Sequence, residues 1–104
     1  MELEPCIKML KALADPTRWR IVGELLRAPL TVGEIGQRLV ISQYNVSKHV
    51  RILREAGIAT THKRGKSVEC DITPSFRQRL DENEHLLDLG CCTFRFNQVP
   101  KNCP

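Results

Sequence analysis

Apolar residues between positions 3 and 14 recur at helical spacing on two faces: Leu3, Ile7, Leu10 and Ala14 on one, Cys6, Met9 and Leu13 on the other. Such coverage predicts a first helix buried on more than one side. In "ADPTRWRIVGELLRAP" Asp15 fits an N-cap, Pro16 the first helical position, and Ile21, Val22, Leu25 and Leu26 an inward stripe that stops before Pro29. "TVGEIGQRL" opens on a capping box, Thr31 with Glu34, and turns Val32, Ile35 and Leu39 inward over a short third helix. Ser42 caps a fourth, "SQYNVSKHVRILREAG", with Val46, Val50 and Leu53 facing the core and Gly57 as its left-handed stop.

The period then changes from 3.6 to 2. "IATTHK" and "SVECDI" flank the tip "RGK", with Val68, Cys70 and Ile72 alternating onto one face and Gly65 supplying the positive φ of a hairpin. Thr73 and Pro74 are read as the opening of a last helix that carries Phe76, Leu80, Leu86, Leu87 and Leu89 and closes at Gly90. Four helices, a hairpin and a helix make a mainly α fold of the winged helix-turn-helix class. The first and last helices carry more apolar surface than one small core absorbs, which predicts a homodimer through them. The expected organisation is a DNA-binding and dimerisation domain over residues 1–90 and a cysteine-containing tail over 91–104.

Charge sharpens this picture. The 104-residue chain has a formal net charge of only +4, but residues 38–68 hold seven bases (Arg38, Lys48, Arg51, Arg54, Lys63, Arg64, Lys66) against Glu55 alone. Residues 69–90 hold two bases against six acids. A basic centre of this kind suits a polyanion. No apolar run approaches the roughly 20 residues that span a bilayer, and residues 1–14 have no cleavage-site pattern, so a cytoplasmic protein without a membrane partner is expected.

With Val46, Val50 and Leu53 inward, the fourth helix turns Gln43, Tyr44, Asn45, Ser47, Lys48 and Arg51 outward. In a helix-turn-helix that face enters the major groove. Gln and Asn can pair at two points with adenine, and Ser bonds either way. Tyr44 can reach a phosphate or a thymine methyl, while Lys48, Arg51 and Arg54 suit phosphates. Lys63, Arg64 and Lys66 around Gly65 form the expected wing. Each residue alone is ordinary surface; the set in this order is a DNA-binding face. His49 lies beside the inward row and is expected to make a helix-to-helix contact. His49, His62 and His85 fall on separate elements, and no nucleophile, base and oxyanion donor come together, so an enzyme is not expected.

"LKALADPTRWRIVGELL", "ISQYNVSKHVRILREAGI" and "HKRGKSVECDI" resemble the core of the ArsR/SmtB family of bacterial metal-sensing repressors, over residues 8–73. The resemblance implies a dimeric repressor on double-stranded operator DNA, an inverted repeat, released when an inducer binds. One arsenic-sensing type of that family carries cysteines at the start of the third helix, and zinc types carry Asp and His pairs on the last helix; neither pattern is present here.

What remains is Cys91, Cys92 and Cys103. Tetrahedral zinc prefers four ligands in spaced pairs, which adjacent cysteines serve poorly. Trivalent arsenic needs three sulfurs, and soft thiolates favour soft acceptors. Cys91 and Cys92 at the negative end of a helix beside Asp88 would resist ionisation, but arsenite exchanges its hydroxyls for thiols with water as product. Tail-cysteine members of the family resemble this chain and respond to arsenite or methylated trivalent arsenicals. As(III) is therefore the expected inducer, arsenite, methylarsenite or antimonite being open, at Cys91, Cys92 and Cys103, with Cys6 of the partner subunit the alternative third sulfur; no organic cofactor is expected. If only the adjacent pair binds, methylarsenite fits better. Cys70, alternating with Val68 and Ile72, reads as core. The rival readings are a thiol-redox repressor pairing Cys91 or Cys92 with Cys103, a divalent soft-metal (Cd, Pb, Zn) sensor, and a winged helix used only to bind protein.

Overall fold

A computed structural model of the chain describes residues 3–81, 83 and 85–95. It begins with α1 (Leu3–Leu13) and α2 (Pro16–Arg27), joined by a turn in which Asp15 caps α2. Asp15 Oδ1 accepts the N–H groups of Thr17 at 2.9 Å and Arg18 at 3.0 Å. That arrangement, the Arg18 N–H above all, holds the Asp15 carboxyl below its usual range. A two-residue strand, β1 (Leu30–Thr31), leads directly into α3 (Val32–Leu39). Thr31 and Glu34 close the expected capping box, at 3.1 Å to the Glu34 N–H and 2.8 Å from the Thr31 N–H.

The turn from α3 to α4 (Gln43–Glu55) is three residues long and tightly built. Val40 takes the left-handed conformation at φ 59°, the Ile41 N–H donates to the Gly36 carbonyl at 3.0 Å, and Ser42 caps α4 through the Asn45 N–H at 3.2 Å. Gly36 permits this approach, because a Cβ there would stand 2.9 Å from the Ile41 carbonyl oxygen. Gly57, at φ 81°, follows α4 as expected.

β2 (Ala59–Arg64) and β3 (Ser67–Ile72) form the hairpin, Arg64 opposite Ser67 across the tip, with Gly65 at φ 62°. The short β1 adds to the outer side of β3, giving a three-stranded antiparallel sheet in the order β1-β3-β2. Thr31 is both strand residue and helix cap, so the wing is fastened to the helix-turn-helix. One hydrophobic core runs through every helix and the hairpin: Leu13, Ile21, Leu25, Ile35, Val46, Leu53, Ile58 and Cys70 are all buried.

The end of the chain departs from expectation. Instead of a long last helix, only α5 (Pro74–Arg77) forms, and β4 (Leu80–Asp81), β5 (Leu86–Asp88) and β6 (Thr93–Arg95) build an antiparallel meander. Leu87 and Leu89 are buried while Asp88 between them is exposed, which is the period of a strand rather than a helix. Two turns enforce it. The Asn83 N–H donates to Asp81 Oδ1 at 3.0 Å and His85 adopts φ 57°; further on, Gly90 sits at φ 101° and its N–H donates to Asp88 Oδ1 at 2.9 Å. Among the described residues, 74–81 and 85–89 thus form no long last helix. On α1, Cys6, Met9 and Leu13 face the core, whereas Leu3 (61% exposed) and Ile7 (37%) lie on the outside.

Candidate nucleic-acid interface and thiol cluster

α4 is phased as the apolar pattern requires. Val46, Val50 and Leu53 are buried, and Gln43, Tyr44, Asn45, Ser47, Lys48 and Arg51 are all exposed. Tyr44, 73% exposed, keeps its ring under the Lys48 ammonium, 5.6 Å from Nζ to the ring centre. On the wing Lys63, Arg64 and Lys66 are exposed too. A recess lined by Thr31, Gly33, Gln43, Ser47, Lys66 and Ser67 joins the start of α4 to the wing, so polar side chains of the helix and bases of the hairpin share one surface. Sequence reasoning missed Thr31, Gly33 and Ser67, which belong to this face only because β1 pairs with β3.

Two of the bases are already engaged. Arg51 Nε lies 3.3 Å from Glu55 Oε2, and Arg64 Nε lies 3.2 Å from Glu69 Oε1. Exposed pairs of this kind contribute at most about 1 kcal/mol, so a phosphate can displace the carboxylate. His49 makes the expected interhelical contact: Arg18 Nη1 stands 3.3 Å from its Nδ1, and Arg18 Nε donates to the Ala12 carbonyl at 2.6 Å. A guanidinium has no acceptor, so in this contact Arg18 is the donor and Nδ1 the acceptor. Arg18 thus ties the end of α1 to the middle of α4.

A second feature lies at the start of α1, on its inner face. Cys6, 1% exposed, is disulfide-bonded to Cys91 with Cα atoms 6.0 Å apart. The Cys91 N–H donates to Cys6 Sγ at 3.2 Å. Cys92 is a half-buried free thiol, and the sulfurs of Cys6, Cys91 and Cys92 all lie within 4.8 Å of one another. Within one chain, Cys6 therefore stands beside the adjacent pair. One expectation is corrected here: Cys91 follows a strand and a turn rather than the end of a helix. Cys103 lies outside the described residues. Cys70, fully buried on the central strand, is the core residue expected; desolvation first and Glu69 second push its thiol up to about 11.

A helix-turn-helix domain model matches residues 13–62. The transcriptional repressor SdpR of Bacillus subtilis is 33% identical over 60 residues, 58% of this chain and 67% of SdpR. The structure of HlyU from Vibrio cholerae superposes with a TM-score of 0.68 at 32% identity, covering 75% of this chain and 88% of that one. A crystal structure of an ArsR family transcriptional regulator superposes at 0.65 with 33% identity, covering 72% and 77%. The chain belongs to the ArsR family.

It is accordingly a DNA-binding transcriptional regulator with the winged helix-turn-helix fold, and not an enzyme. The chain spans only about half to two thirds of the length of the curated relatives it matches, from 51% for a biofilm growth-associated repressor to 67% for SdpR and 68% for the regulator NmtR of Mycobacterium tuberculosis. In this ArsR-family chain the matched domain holds α4 and most of β2, while Cys6, Cys91 and Cys92 all lie outside it. Among the described residues, no helix is long and apolar enough to cross a membrane.

Proposed function

We propose that this ArsR-family chain is a cytoplasmic transcriptional repressor that sits as a homodimer on an inverted-repeat operator and is released by trivalent arsenic bound to its cysteines. Gln43, Tyr44, Asn45 and Ser47 read base edges; Lys48, Arg51, Arg64 and Lys66 hold phosphates. The dimer is supported by the outer face of α1, where Leu3 and Ile7 leave apolar surface uncovered. Metalloid binds at Cys91 and Cys92 with a third sulfur, for which the sequence favoured Cys103. The observation that carries this reading is the convergence of three cysteine sulfurs within 4.8 Å on a DNA-binding scaffold.

Operator affinity, measured by fluorescence anisotropy with and without arsenite on reduced protein, tests it. Wild type is expected to bind at least ten-fold more weakly with arsenite, which is about 1.4 kcal/mol of coupling, and Cys91→Ser and Cys92→Ser to stay bound. Equal affinity at saturating arsenite rejects the reading. The Cys6–Cys91 disulfide favours a second reading, in which oxidation alone is the signal; release by peroxide but not by arsenite would establish that one instead.

A further inference from the structure

We propose that the third sulfur is Cys6 of the same chain, so that each protomer owns a complete three-sulfur site for a three-coordinate soft ion, and that the Cys6–Cys91 disulfide is the closed, non-binding form of that site. This rests on the reading of the chain as a metalloid-responsive regulator and assigns the site's composition and its redox control.

The geometry comes from both ends of the chain. Cys6 projects from the inner face of α1 and is 1% exposed, whereas Leu3 and Ile7 occupy the outer face. A partner docked on Leu3 and Ile7 therefore does not reach the sulfur. Cys91 and Cys92 sit in the loop between β5 and β6, which is held on both sides. The Leu89 N–H donates to the Cys92 carbonyl at 2.9 Å, the Gly90 N–H donates to Asp88 Oδ1 at 2.9 Å, and Leu87 and Leu89 are buried. These contacts fix the loop's own shape, and the hydrogen bond from the Cys91 N–H to Cys6 Sγ at 3.2 Å and the disulfide join it to α1. Metal–sulfur bonds of about 2.3 Å keep two ligands no more than about 4.6 Å apart, and the three sulfurs are already within 4.8 Å.

Composition selects the ion. Among the described residues the group contains three cysteines and no histidine or carboxylate. A closed tetrahedral zinc site needs a fourth ligand; a trivalent metalloid needs three, its lone pair occupying the open side. Binding conserves oxidation state: arsenous acid, As(OH)3, and three thiols give As(S-Cys)3 and three waters, each thiol proton leaving on a departing hydroxyl.

Oxidation competes for the same atoms. A hydroperoxide ROOH takes two electrons and two protons from the Cys6 and Cys91 thiols, giving their disulfide, ROH and water. Cys92 then remains as a lone sulfur, which cannot chelate. Exchange with two equivalents of a small thiol returns both cysteines to thiols and reopens the site, with the small thiol leaving as its own disulfide.

The test is arsenite binding to the full-length protein, by intact-mass stoichiometry and by protection of cysteines from alkylation, read peptide by peptide. Reduced wild type and Cys103→Ser are each expected to take one arsenic per chain, with Cys6, Cys91 and Cys92 protected together. Cys6→Ser and Cys6→Ala should bind at least ten-fold more weakly. Because protection is read in wild type, the result does not depend on those variants folding. Mixed dimers of Cys6→Ser and Cys91→Ser/Cys92→Ser protomers should gain no site. Hydrogen peroxide should give a Cys6–Cys91 disulfide that abolishes uptake until dithiothreitol is added. Protection of Cys103 in place of Cys6, a site restored in mixed dimers, undiminished uptake by the oxidised form, or no uptake by reduced wild type would each overturn the proposal. Arsenic bound at Cys6, Cys91 and Cys92 with operator affinity unmoved would uphold the site and reject arsenic induction.

Discussion

Val40 shows how much a single position can cost. It is β-branched, stands at φ 59° and is 86% exposed, so the strain of its left-handed backbone is offset by almost no packing. That conformation costs a β-carbon residue about 1–2 kcal/mol, and glycine, despite its greater freedom in the unfolded chain, is expected to stabilise by about 0.5–1 kcal/mol in Val40→Gly. Thermal unfolding with a rise of a few degrees checks it. Gly36→Ala, four residues earlier, should act oppositely by about 1–3 kcal/mol, since its Cβ meets a carbonyl oxygen at 2.9 Å. Cys70 gives a pH prediction. Its thiol is pushed up to about 11 in the fold from 9.0, so below pH 9 it is neutral in both states and stability is unaffected. Between pH 9 and 11 only the unfolded chain gives up the proton, which favours unfolding, by on the order of 2 kcal/mol at most. Denaturant titrations at pH 8 and 10.5 should show that loss in wild type and less of it in Cys70→Ala.

The elements up to β3 were legible in the sequence from their caps and turns; the last helix, read from Thr73 and Pro74 to Gly90, opens at its cap but does not continue past Arg77. Asp15, Thr31 with Glu34, Ser42, Gly57 and Gly65 each leave a local chemical signature, and the helices and hairpin they delimit lie where those residues place them. Past Arg77, Leu80, Leu86, Leu87 and Leu89 satisfy a helical reading and a strand reading equally well. Long-range pairing decides between them: Leu87 opposite Leu80 and Phe94, and Asp88 opposite Thr93. The outward side chains of α4 followed from its phase alone, but the approach of Cys6 to Cys91 spans 85 residues and no local pattern announces it. Leu87 tests the meander. It is 1% exposed, so Leu87→Ala should cost about 2–4 kcal/mol and slacken the loop carrying Cys91 and Cys92, weakening arsenite uptake. In a long helix exposing this position, the same change would cost almost nothing.

At the scale of the whole molecule, charge is segregated: the bases gather on α4 and the wing, and the acids of the meander lie later in the chain. Binding to a duplex then releases counterions, and the logarithm of operator affinity should fall linearly with the logarithm of salt concentration, steepening with each phosphate held. Arg64 and Glu69 make the sharpest test, because the wing arginine is paired at 3.2 Å in the free protein. If Arg64 holds a phosphate as proposed, binding exchanges that carboxylate for the phosphate, and the carboxylate stays behind as a like charge beside the DNA. Arg64→Ala should weaken operator binding, reduce the salt slope by about 1, and act equally on specific and random duplexes. Glu69→Gln should do the reverse, strengthening both by a few-fold at low salt and less at high salt, as screening requires. Gln43→Ala belongs to the other class: it should weaken the operator while leaving random DNA and the salt slope unchanged. A wing that made no backbone contact would leave the slope of Arg64→Ala at the wild-type value.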